Sequence, residues 1–173
     1  MSEIEIHHEH ADDPDSGRIG ILIGVVGILL SVVTISSHRA HTEAVIHRTE
    51  ANDQWTYYQA KKIREQVSDV GLTLLQTLST DAKASEPQLR KLSAARDHYA
   101  DDAKGIQQQA QAKDLETGLA EKRALRFDLG EGMLELGLVL CSLFFLARKR
   151  FFPAFGIIAA IMGSLIGGSG YLL

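Results

Sequence analysis

Apolar positions gather in three blocks, Ile19–Ser36, Leu129–Ala147 and Phe151–Leu173, and the charged residues lie between and outside them. Each block is close to the ~20 residues that a helix needs to cross a hydrocarbon core of about 30 Å. Lipid offers the backbone no hydrogen-bond partners, so each block is read as a transmembrane helix. The stretch between the first two blocks is polar but rich in helix formers, with no proline from Ser37 until Pro87. The pattern therefore predicts an all-α membrane protein with three transmembrane helices. A long antiparallel helical hairpin, a coiled coil, is expected between the first and second.

The expected order is a flexible acidic and histidine-bearing tail over 1–18, a span over 19–36 and an extramembrane hairpin over 37–128. A second span over 129–147, a basic loop over 148–150 and a third span over 151–173 complete it. On the outgoing arm Ile63, Val67, Val70, Leu74 and Leu78 repeat at four and three, the spacing of a coiled-coil seam, with Ile46, Ala51, Trp55 and Tyr58 upstream. The turn is placed at Ser79 to Pro87, with Ser85 and Gln88 as a capping box. On the return arm Leu92, Tyr99 and Ile106 alternate with Leu89, Arg96, Ala103 and Ala110.

Small residues within the spans are ordered. Gly17, Gly20, Gly24 and Gly27 continue as Ser31 and Thr34 at spacings of three and four, one stripe down the first span. The third span carries Gly156, Gly163, Gly167 and Gly170. Gly20–Gly24 and Gly163–Gly167 are small-xxx-small pairs of the kind that let helices approach closely in lipid. Two carboxylates, Glu131 and Glu135, interrupt the second span one turn apart. Glu135 falls near the midplane, where a carboxylate is costly and by default faces a partner, a cavity or water. It is read either as a structural hydrogen-bonding group, toward Ser31, Thr34 or another subunit, or as part of a proton or cation relay. Glu131 is placed near the interface, where it can snorkel.

Composition narrows the function classes. The chain of 173 residues carries a net charge of −4, so no nucleic-acid footprint is expected. Its one cysteine, Cys141, excludes an intrachain disulfide. No phosphate-binding glycine loop, nucleophile elbow or metalloprotease helix occurs, so no enzyme is expected and no cofactor. In the tail His7, His8 and His10, with Glu5 and Glu9, offer metal ligands of suitable type but no fixed geometry. The tail lacks the basic start and cleavage site of a signal peptide, so the first span is expected to be retained. Trp55, Tyr58 and Lys62 share one helix face, with Asp53, Tyr57 and Lys61 alongside. They are read either as aromatic packing between two helices or as a recognition surface.

The runs ANDQWTYYQAKKIR (Ala51–Arg64) and RFDLGEGMLELGLVLCSL (Arg126–Leu143), with the tail, resemble a bacterial family, the domain of unknown function 4337. The resemblance covers essentially the whole chain and implies an uncharacterised bacterial membrane protein with this order of parts. It carries no activity, cofactor or catalytic residue with it. This tail is poorer in histidine than the family's, which weakens the metal reading.

Arg148, Lys149 and Arg150 on a short loop favour the cytoplasmic side, which places the N-terminus inside and the hairpin outside an inner membrane. The acidic tail and Arg39 and Arg48 argue the opposite way, but long segments count less in that rule. The expected partners are the bilayer and either further copies of the chain or other membrane-protein subunits. The expected function is a self-assembling or accessory structural subunit. An ion-conducting oligomer using Glu135 and a metal-responsive protein using the tail are the alternatives.

Overall fold

The structure, a computed structural model, describes residues 14–173. Three α-helices account for nearly all of them: α1 (Pro14–Leu78), α2 (Ala82–Ala147) and α3 (Phe151–Ser169), followed by a 3-10 turn over Gly170–Leu172. There is no strand among the described residues. All three helices contain a stretch long and apolar enough to cross a membrane.

Among the described residues α1 already covers 14–18, part of the segment expected to be tail. Serine and threonine are accommodated along α1 by donating to carbonyls one turn back, as Ser31 does to Gly27 and Thr56 to Asn52.

The turn between α1 and α2 is tighter than expected, and Asp81 starts α2 rather than Ser85. The Asp81 carboxylate accepts from the backbone N–H of Lys83 and of Ala84, at 3.0 and 3.3 Å, satisfying donors that a helix start leaves over. Ser85 instead sits within the first turns, its hydroxyl donating to the Asp81 carbonyl at 3.0 Å. Pro87 lies inside α2. Helix α2 ends on Arg148, whose φ of 53° is the left-handed turn that usually falls to glycine.

The helices divide into two compact units, one up to Ala40 together with Lys122–Leu173, the other His41–Glu121. In the first, α2 and α3 run antiparallel with their backbones in contact. A Cβ on Gly130 would stand 2.6 Å from Gly167 Cα, and one on Gly163 would stand 2.7 Å from the Gly130 carbonyl. One on Gly137 would meet the Gly156 carbonyl at 2.8 Å. No other residue type fits those positions without moving backbone. The first part of α1 closes this unit with Val26, Val33 and Ala40, packed with Phe127, Leu134 and Ala160. The edge of Phe127 meets the ring of Tyr171, centroids 5.0 Å apart.

The second unit is an antiparallel pair made by the rest of α1 and the start of α2. Its buried side chains are mostly small: Ala44, Ala51, Ser68, Ala103, Ala110, Thr117 and Ala120, with Leu72 and Ile106. The return arm presents its expected seam inward. The outgoing arm does so only upstream, where Ala51 is buried and Trp55 bonds to α2. Ile63, Val67, Val70, Leu74 and Leu78 are between 53% and 74% exposed, so the predicted seam faces away from α2. At about 100° per residue, that stripe lies on roughly the opposite side of α1 from Ala51, Ser68 and Leu72. A helix with one partner buries one strip, and here small side chains and polar cross-links define it.

Candidate functional site

In the first unit the carboxylates of α2 face the hydroxyls of α1. Thr34 Oγ1 donates to Glu131 Oε1 at 2.7 Å, and Ser37 Oγ donates to Asp128 Oδ1 at 2.6 Å. These bonds lie one turn apart on both helices and lace them together. Ser36 and Tyr171 share a further hydroxyl contact, and Arg126 donates to Ser169 Oγ at 3.1 Å. Asp128 was overlooked in the sequence because it was placed just outside the span. Yet 128, 131 and 135 are spaced by three and four, which puts all three on one helix face.

Glu135 is different. It is exposed and makes no hydrogen bond or ion pair with the described residues. Ser31 donates to Gly27 and Thr34 to Glu131, so neither reaches Glu135 as considered from the sequence. Glu131 is held across the helix pair rather than left to snorkel.

The glycines also separate. Gly163 and Gly167 of α3 are buried in the α2–α3 seam, and Gly167 additionally approaches Val33 of α1. On α1, Gly27 meets only Leu138, at 3.8 Å, while Cβ atoms on Gly20 and Gly24 would meet nothing within 4 Å. That part of the first-span stripe is therefore turned away from the other described residues.

In the second unit Trp55 turns toward the return helix. Its indole Nε1 donates to Asp114 Oδ2 at 2.8 Å, and its ring meets Tyr58 edge-on at 5.6 Å. Lys62 donates within α1 to Glu65, at 2.7 Å. The cross-helix cation is its neighbour Lys61, which reaches Asp102 at 2.7 Å and stands 5.4 and 5.6 Å from the rings of Tyr57 and Tyr99. The hydrogen bond from Lys61 holds Asp102 below the usual carboxylate range, and Asp102 in turn holds Lys61 above the usual lysine value. Tyr57 is the exposed aromatic of the group.

His7, His8 and His10 lie outside the described residues. Among the described ones, His47, Glu50 and Glu116 bring one ligand atom each within 4.8 Å of one another. Sequence reading missed this set, because Glu116 is far along the chain and only the His47–Glu50 spacing of three hinted at a shared face. No nucleophile paired with an activating base stands among the residues described above.

The family model described as "Domain of unknown function (DUF4337)" matches residues 15–173. No curated protein and no solved structure matches the chain.

Proposed function

We propose that this chain, which belongs to the DUF4337 family of unknown function, is a non-enzymatic integral membrane protein that works by assembling with further copies of itself. The observation that carries this reading is the exposed stripe Ile63, Val67, Val70, Leu74 and Leu78. Large aliphatic side chains repeating at four and three, in an otherwise polar segment, are what a second helix buries. The stripe runs into an apolar groove of about 540 Å³ lined by Leu74, Leu75, Leu78 and Leu92. In heptad register Val67 and Leu74 occupy a positions and Ile63 and Val70 occupy d positions. Branched residues at d favour more than two strands. The outward Gly20 and Gly24 offer a second close-packing strip within the first span.

In this reading the three spans lie in a bacterial inner membrane, with Arg148–Arg150 and the N-terminus cytoplasmic and the helix pair outside. The test is cross-linking in native membranes. A cysteine at Val67 should give covalent oligomers under mild oxidation, and one at exposed Asp101 on the return arm should not. Equal cross-linking at both positions, or a lone chain by mass in mild detergent, would overturn self-assembly. Stoichiometric foreign chains in that extract would make the protein an accessory subunit of their complex.

A second reading rests on Glu135, an exposed and unbonded carboxylate on an apolar helix. In an oligomer it would line a proton or cation path. Glu135→Gln should then abolish conductance while leaving the oligomer intact, and loss of the oligomer instead would make Glu135 structural.

A further inference from the structure

We propose that His47, Glu50 and Glu116 form a divalent transition-metal site that clamps the two helices of the second unit, with Lys113 holding the cation position in the metal-free state. His47 and Glu50 are one turn apart on α1, and Glu116 faces them from α2. His47 Nδ1 lies 3.5 Å from Glu50 Oε2 and 3.7 Å from Glu116 Oε2. These separations are too long for hydrogen bonds. They suit ligands sharing one ion, since atoms about 2.1 Å from a tetrahedral centre stand roughly 3.4 Å apart.

Two further features point the same way. The Nδ1 atom is shielded from solvent and finds no hydrogen bond of ordinary length among the described residues, on a ring that is itself a quarter exposed. The other nitrogen, Nε2, lies 3.8 Å from Glu43 Oε1, so a third carboxylate stands near the imidazole. The position between the two glutamates already attracts a cation. Lys113 Nζ donates to Glu50 Oε2 at 3.0 Å and to Glu116 Oε2 at 2.8 Å, the same two oxygens that face His47. Lys113 is a long side chain, 34% exposed, and can swing into water while keeping its proton. Binding is then an exchange of one ammonium for one metal ion, with no change in oxidation state. One imidazole and two carboxylates suit zinc, and the remaining coordination position would fall to water.

The full chain in detergent, carrying His7→Ala, His8→Ala and His10→Ala to remove the tail's ligands, should bind one zinc ion by calorimetric titration. Its helix melting temperature should rise with zinc. His47→Gln should weaken binding by about tenfold or more. Lys113→Met should tighten it by roughly tenfold, by removing the competing ammonium. That gain cannot come from misfolding, so it separates the site from a merely structural ion-pair cluster. Absence of zinc binding, binding unchanged in His47→Gln, or a Lys113→Met chain that binds no more tightly would each overturn the proposal.

Discussion

The two units share the same two long helices, and both bury small residues between helices while large aliphatic side chains point outward. In the first, glycine lies between helices and large aliphatic side chains such as Ile21, Ile28, Leu136 and Leu146 point outward. In the second, alanine and serine lie between helices and the large aliphatic side chains again point outward. Outward aliphatic side chains carry different meanings in the two places. On the proposed membrane reading, lipid solvates those of the first unit. On the same reading water surrounds the second unit, and each exposed valine or leucine there would forgo about 1.5–3 kcal/mol of burial. On that reading the second unit is the one a further helix would cover.

The comparison breaks most visibly at the glycines. Gly163→Val should separate α2 from α3, because its Cβ would sit 2.7 Å from one backbone carbonyl and 2.9 Å from the Leu134 nitrogen. A loss of about 3 kcal/mol or more is expected, read as a lower unfolding midpoint in detergent. Gly20→Val should lower that midpoint far less, since no described residue lies within 4 Å of its Cβ. Equal effects would mean the seam is not where the first unit draws its stability.

Replacing Val67 and Leu74 by Asp tests the second unit. Helicity should persist and self-association should weaken by about a hundredfold or more, followed by sedimentation. Collapse of the helix itself would show that the stripe packs within the chain.

A smaller effect is expected for Thr34→Val, which removes the donor to Glu131. Hydrogen bonds between helices in lipid average about 0.6 kcal/mol, so the unfolding midpoint should fall slightly.

The smallest expected change is with pH. Glu50, held down by its hydrogen bond from Lys113, and Asp102, held down by Lys61, contribute stability that is present above the ordinary carboxylate value of about 4. It is lost as pH falls through their lowered values. Lys61 and Lys113 are held up, so their contribution is present below the ordinary lysine value of about 10.4 and lost as pH rises through the raised ones. Helical melting of the second unit should thus be flat between these limits and decline modestly beyond both. The Lys113–Glu50 pair is exposed and the Lys61–Asp102 pair partly buried, so a steep decline would indicate pairs sealed from water.

Much of this was legible in one dimension. Apolar runs give spans, because crossing lipid sets a length, and the Gly163–Gly167 pair gave close packing. Pairings between distant segments were not legible. The Ser37–Asp128 and Trp55–Asp114 bonds join residues 91 and 59 positions apart, and no periodicity carries that information. The outgoing seam misled for a definite reason. A four-three repeat says that some helix will cover the stripe, but not which one. Ala51, Ser68 and Leu72 are less conspicuous and took the contact with α2 instead. The turn is shorter than the Ser85 cap implies because the Asp81 carboxylate accepts from the N–H groups of Lys83 and Ala84, which lets α2 begin ahead of Ser85.

Cys141 is wholly buried, and a Cβ on Gly156 would stand 2.5 Å from its sulfur. The one native thiol is thus sealed from reagents while α2 and α3 stay together. Any cysteine introduced on an outer face becomes the sole addressable label in an otherwise natural chain. Reaction at Cys141 itself would then report that the two helices have parted.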